Sequence, residues 1–218
     1  MTIQPKQLRM VLFLLTLNVL HVHPSDAAGF IKWEAVNKGL DLGAGSGITE
    51  IATNGAGVVY TIVDGTGLYK STDGGDAWTH LTGDTPPLQA PYTVAVAPGA
   101  GGAVFVGTVT PGSGLWRSDD AGKTWTKAGD AAAGMASSDV EAVAFAPDTP
   151  GLMLVGHRGG RLLSVSTNGG KTWKTSDLGV EVKQQLPIVV TDSHWIVASR
   201  AGGALRFTDN AGGQWQDG

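Results

Sequence analysis

Four octapeptides of one pattern recur along this chain and constrain its fold more than any other feature. They are Ser71-Thr-Asp-Gly-Gly-Asp-Ala-Trp78, Ser118-Asp-Asp-Ala-Gly-Lys-Thr-Trp125, Ser166-Thr-Asn-Gly-Gly-Lys-Thr-Trp173 and Thr208-Asp-Asn-Ala-Gly-Gly-Gln-Trp215. Their tryptophans are 47, 48 and 42 residues apart, the length of one four-stranded propeller blade. The 33 glycines among 218 residues have no collagen-like period and sit between short apolar stretches, which is the signature of many tight turns. The expected fold is all-β: a β-propeller of four-stranded antiparallel blades, with about four blades present and the ring possible in an incomplete form.

The octapeptide makes physical sense as the hairpin between a blade's third and fourth strands. The short carboxylate or amide of Asp73, Asp120, Asn168 and Asn210 accepts hydrogen bonds from turn N–H groups. Gly75, Gly122, Gly170 and Gly212 supply the positive φ of a compact turn. Trp78, Trp125, Trp173 and Trp215 bury a large ring on the hairpin's inner side, and Ser71, Ser118, Ser166 and Thr208 close the third strands. A motif repeated in every blade reads as structural, because one active site does not need four copies. The blades are expected at about 47–83, 92–128, 139–176 and 187–217. First strands such as Thr93–Ala97 and Val140–Phe145 are rich in small and β-branched residues, as suits strands converging on a propeller axis.

The pattern S-x-D-x-G-x-T-W resembles the Asp-box, or BNR, repeat of sialidase-like, sortilin-like and photosystem II assembly factor-like propellers. The catalytic part of the sialidase resemblance is not met. That family opens with an arginine near the mature N-terminus, yet no Arg occurs between Arg9 and Arg117. It also uses a late tyrosine, whereas Tyr60, Tyr69 and Tyr92 all lie in the first repeat and its exit. Xyloglucan-degrading propellers similarly place an Asp in a Gly-rich segment of the first blade, and here Gly43–Gly47 has no acid until Glu50.

Residues 1–27 read as a cleaved signal peptide. Lys6 and Arg9 precede the apolar run Met10–Leu20, and Ser25 and Ala27 suit a cleavage site after Ala27. The run is short for a bilayer span, so no stable membrane span is expected after cleavage and the mature chain is placed outside the cell or in a periplasm; an uncleaved anchor is the alternative. Residues 30–36 have the Trp and alternation of a fourth strand with no blade of their own upstream. They are expected to act as an orphan closing strand, in an incomplete ring or at the edge of a four-bladed one.

Composition excludes some chemistry. With no cysteine there is no thiol nucleophile or thiolate metal site, and a net charge of −4 argues against a nucleic-acid partner. No His pair has metal-ligand spacing, so neither metal nor cofactor is expected. Propeller sites usually lie on the face opposite the hairpins. There Arg158 and Arg200, each eight residues before its octapeptide, with His157 beside them, are candidates to hold a carbohydrate or protein ligand through anionic groups. Asp64, Asp139 and Glu141, with Glu50 nearby, are the candidate carboxylates for the alternative function, glycoside hydrolysis.

Overall fold

The computed structural model describes residues 20–24, 31–43, 45–53, 55–81, 86–99, 102–109, 113–189, 191–201, 203 and 205–218, with side chains from residue 35 onward except at Arg200 and Ala201. Strands β1 (Leu20–Pro24) and β2 (Ile31–Ala35) form a separate antiparallel pair. The first blade comprises β3 (Ile48–Thr53), β4 (Val59–Val63), β5 (Gly67–Ser71) and β6 (Thr79–His80). The second has β7 (Thr93–Val96), β8 (Val104–Thr108), β9 (Gly114–Ser118) and β10 (Thr126–Gly129). The third has β11 (Val140–Phe145), β12 (Met153–His157), β13 (Leu162–Ser166) and β14 (Lys174–Asp177). The fourth has β15 (Lys183–Val189), β16 (Trp195–Ala201), β17 (Leu205–Thr208) and β18 (Gln216–Asp217). Each blade is an up-and-down antiparallel sheet in chain order. The inner strands β3, β7, β11 and β15 are successive neighbours, and the four sheets do not close into a ring.

Two expectations need adjustment. Fourth strands begin directly after each Trp, at Thr79, Thr126, Lys174 and Gln216, because the Trp and the residue before it still belong to the hairpin. Strand β15 begins at Lys183, ahead of the fourth blade's expected start at 187. Its polar start is held by Gln185, fully buried, whose Oε1 accepts from His157 N at 3.3 Å and whose Nε2 donates to Gly160 O at 2.9 Å. The strand expected to close a blade pairs instead with Leu20–Pro24 and with none of the four sheets. The rest of the proposed signal peptide lies outside the described residues.

All four hairpins carry the same polar knot. Ser71 Oγ donates to Asp73 Oδ1 at 2.7 Å and accepts from Gly75 N at 2.8 Å. Ser118 does the same with Asp120 and Gly122, Ser166 with Asn168 and Gly170, and Thr208 with Asn210 and Gly212. The carboxylate or amide oxygen then accepts from the N–H four residues on, in Ala77, Thr124, Thr172 and Gln214. Two consecutive residues take positive φ; where the first is not glycine it is Ala121 (φ 61°) or Ala211 (φ 55°). At Gly122 (φ 92°) the backbone calls for glycine, and a Cβ there would in addition push Leu81 Cδ1 of the preceding blade, 2.8 Å away, aside.

The knot seats each Trp on the blade before it. Trp173 Nε1 donates to Ala128 O at 2.9 Å, and Trp215 Nε1 to Ser176 Oγ at 2.9 Å. Both acceptors lie three residues after the preceding repeat's Trp. Trp78 Nε1 donates to Val36 O at 2.9 Å, and Val36 lies three residues after Trp33. Residues 31–36 therefore occupy the seat that a preceding blade's last strand provides at Trp173 and Trp215. Between blades, Tyr60, Ile62 and Leu68 meet Val94, Val104, Val106 and Trp125. Phe105 and Leu115 meet Met153 and Val155, and Leu154, Leu163 and Leu178 meet Val189, Trp195 and Val197. Burying one such side chain is worth roughly 1.5–3 kcal/mol, so these junctions dominate cohesion. The buried Tyr60 phenol is pushed up to about 12 by desolvation and, secondarily, by Asp120 of the next blade.

The knots make stability sensitive to acid. Asp120 is held well below the usual carboxylate range, first by the Thr124 hydroxyl and then by the Thr124 N–H. Asp73 is lowered first by the Ser71 hydroxyl. A carboxyl with a lowered folded-state pKa contributes stability that is full above its unfolded value, about 4, and is lost as pH falls through the folded value. Asp120→Asn should behave like the natural Asn168, whose Nδ2 donates to Thr172 Oγ1 at 2.7 Å. Urea midpoints should change little at neutral pH, while the loss on acidification below pH of about 4 becomes shallower. An unchanged acid slope would remove Asp120 from this account.

Candidate functional site

The site is built where the inner strands begin, on the face opposite the hairpins. A cavity of about 960 Å³ opens there. One wall is Ile48, Thr49 and Glu50 at the start of β3, with Ile62, Val63 and Asp64 at the end of β4. The connection between the first two blades supplies Gln89, Pro91 and Tyr92, following the short helix α1 (Pro86–Gln89). Glu141 of β11 and Leu186 of β15 complete the far side. Three carboxylates from two blades, one phenol and an apolar floor thus share one space.

Local structure aims these groups. In β11 the pairing steps from Val140↔His157 to Ala142↔Gly156, leaving Glu141 as the extra residue of a bulge. The same step occurs at Thr49, between Ile48↔Val63 and Glu50↔Ile62. A bulge re-aims a side chain at a strand end, and here it tucks the Glu141 side chain to 3% exposure. Its Oε1 accepts from Arg158 Nε at 3.0 Å, and that hydrogen bond raises the guanidinium pKa further. The Arg158 guanidinium also lies 5.9 Å from the Tyr92 ring centroid, backing the aromatic. Glu50 joins two blades: Oε2 accepts from Val94 N at 2.7 Å and Oε1 from Thr93 Oγ1 at 3.1 Å. Asp64 is exposed on the cavity wall, its N–H donated to Gly47 O at 2.8 Å.

His157 takes a different place from the one the sequence suggested. It is fully buried, with Nδ1 3.1 Å from Asp139 O and Nε2 2.7 Å from Ser164 Oγ. Since a carbonyl can only accept, Nδ1 carries the proton and Nε2 accepts from the Ser164 hydroxyl. Ser164 Oγ in turn accepts from Ala136 N at 2.8 Å, so the imidazole braces the loop entering β11. Burial, opposed by the Asp139 carbonyl, lowers its pKa and keeps it neutral. Asp139 is half-buried outside the cavity, accepting from Ser113 Oγ at 3.4 Å. Arg200 falls in β16, and its side chain lies outside the described residues. His194 pairs with Asp209 beside the fourth hairpin, away from the cavity.

The structure therefore brings together Glu50, Asp64 and Glu141, leaves Asp139 and His157 behind the wall, and uses Arg158 as a partner of Glu141. Tyr92 and Gln185 were not singled out by sequence reading; Tyr92 carried a signal only as the aromatic end of an inter-blade connection. Among the described residues, no three His, Asp or Glu side chains are grouped to hold a metal ion. No helix among them is long and apolar enough to cross a membrane.

Residues 28–202 match the family model of the DUF6242 beta propeller domain. No curated protein matches the sequence. Among solved structures, an ancestral GH74 enzyme is similar with a TM-score of 0.63 and 23% identity, over 82% of this chain and 25% of that one. The GH74 xyloglucanase from Xanthomonas campestris gives a TM-score of 0.62 and 21% identity, over 92% of this chain and 36% of that one. YCF48 bound to D1 peptide gives 0.51 and 12%, over 92% and 74%. The chain thus spans a quarter to about a third of the two GH74 structures, and the likeness is one of fold.

The Glu141–Arg158 pair sets an expectation for stability. Arg158→Ala leaves a buried carboxylate without its cation, and should lower the unfolding free energy by about 1–3 kcal/mol. Glu141→Gln with Arg158→Ala should recover part of that loss. Urea unfolding at neutral pH reads both, and no loss in the single variant would show that solvent already satisfies Glu141.

Proposed function

The chain belongs to the DUF6242 β-propeller family, and on that footing we propose that it is an exported binding or assembly propeller whose ligand is a carbohydrate segment held in the cavity. We read the four hairpins as Asp boxes that brace the scaffold and take no part in the site. The observation that carries the reading is the single cavity shared by Glu50, Asp64, Glu141 and Tyr92. Sugar hydroxyls donate to carboxylates, and a sugar's C–H face packs on an aromatic ring. The cavity lining carries three carboxylates and no cation, and Arg158 already gives its Nε–H to Glu141, so a neutral glycan suits it better than the anionic one that a free arginine pair would favour. The xyloglucan specificity in the name of the Xanthomonas campestris neighbour agrees with that class. The peptide bound by YCF48 represents the competing protein-ligand class.

The same three carboxylates favour a second reading, glycoside hydrolysis. Against it, Glu50 and Glu141 already spend oxygens on Val94 N, Thr93 Oγ1 and Arg158 Nε, which ties them to the scaffold rather than leaving them placed to reach a scissile bond. Binding without turnover is the function we favour.

Calorimetric titration with neutral β-glucan and xyloglucan oligosaccharides tests it. Binding should be measurable, should weaken about tenfold in Tyr92→Ala, and should proceed without new reducing ends. Reducing ends lost in Asp64→Asn would establish the hydrolase instead, and binding confined to peptides would remove the glycan. Export has its own readout: intact mass of the protein recovered outside the cytoplasm should begin at Ala28, and a retained Met1 would contradict cleavage.

A further inference from the structure

Arg158 touches two of the groups that line the cavity without lining it itself. It follows β12 in the third blade, and its Nε–H is held by the Glu141 carboxylate at 3.0 Å. Glu141 is buried and fixed by its bulge, whereas the Arg158 side chain is 54% exposed. The guanidinium is therefore anchored at Nε, and it lies over the Tyr92 ring at 5.9 Å from the centroid, within cation–π range. Tyr92 belongs to the other side of a blade junction, immediately before β7 of the second blade.

The second and third blades meet closely at this point. Gly107 of β8 lies against Val140 of β11, where a Cβ would come within 2.4 Å of Val140 Cγ1. Gly107 O also accepts from Tyr92 N at 2.9 Å, so the Tyr92 backbone is pinned to the second blade where the third approaches it. The ring itself can still turn about χ1 and χ2. A guanidinium fixed in the third blade and laid over the ring selects among those rotamers.

We propose that Arg158 is the positioning residue of the sugar site: it spans the junction between the second and third blades and holds the Tyr92 ring as the platform on which a sugar's C–H face packs. The inference rests on the reading of the cavity as a carbohydrate site, and adds to it a residue that acts through Tyr92 rather than through the ligand. Shape matters here as well as charge. A guanidinium can give Nε–H to a carboxylate and lay its plane on a ring, whereas a lysine ammonium is a compact point charge without that plane. Arg158→Lys should therefore keep the ion pair with Glu141 and release the ring.

Fluorine NMR of the fluorotyrosine-labelled protein reads the ring without any ligand. Tyr60 and Tyr69 are buried in the first blade, and Tyr92→Phe identifies the remaining signal, since the chain has three tyrosines. Arg158→Lys should move the Tyr92 signal towards that of free fluorotyrosine and leave the other two in place, with a urea midpoint close to the parent's. Affinity for xyloglucan oligosaccharide should fall about threefold in Arg158→Lys, and should fall no further when the same change is added to Tyr92→Ala. An unmoved Tyr92 signal overturns the proposal. So does an equal loss of affinity in both backgrounds, the mark of a direct contact between guanidinium and sugar. If the parent binds no glycan, the carbohydrate reading falls, and the fluorine signal still decides whether Arg158 sets the ring.

Discussion

The structure rests on a hydrogen-bonded knot no larger than eight residues. A hydroxyl at the end of each third strand donates to a carboxyl or amide oxygen and accepts the N–H of a glycine four residues on. This fixes a turn with two positive φ values, and the turn delivers a tryptophan to the neighbouring blade. A sheet alone would bury one face and expose the other. The tryptophan instead clips each sheet to its predecessor, through Ala128 O in one case and Ser176 Oγ in another. The clip is not uniform, since Trp125 Nε1 is buried without a hydrogen-bond partner. There the ring must hold by packing alone, against Tyr60, Leu81 and their neighbours, and the polar contact is an addition to the apolar one rather than its cause.

That division explains what could be read from the sequence. The knot is local, its residues lie within eight positions, and its chemistry demands particular side chains, so it shows as a pattern. Blade length follows from the spacing, and strand identity from what fits between knots. The orphan segment was legible as a strand with the Trp and alternation of a fourth strand, and the structure adds that Val36 O, three residues after Trp33, is the acceptor for Trp78. Its strand partner was not, because pairing with Leu20–Pro24 involves residues that read as a leader.

The site was less legible because it is made of non-local pairs. Arg158 looks like a free cation in a Gly-rich turn, and only the bulge in β11 shows that Glu141, 17 residues earlier, turns to meet it. His157 beside it looks equally available, yet the same strand end that presents Arg158 points the imidazole inward to Asp139 O and Ser164. Adjacent residues on a strand face opposite ways, so of two neighbouring candidates only one could reach the mouth. Glu50 is likewise defined by partners 43 and 44 residues away, a contact no spacing rule contains.

These networks also explain why the cavity wall can be rigid without being closed. Glu50 ties β3 to β7, Gln185 ties β15 to the end of β12, and His157 ties the loop before β11 to β13. The Glu50 and Gln185 bonds cross the first and third junctions at the inner-strand end, and the packed Trp125 ring and the Trp215 clip cross the same junctions at the outer-strand end. A junction held at both ends cannot hinge about either one. The relative orientation of Glu50, Tyr92 and Glu141 is therefore set by the blade packing itself, and a preformed wall limits the ordering cost of binding.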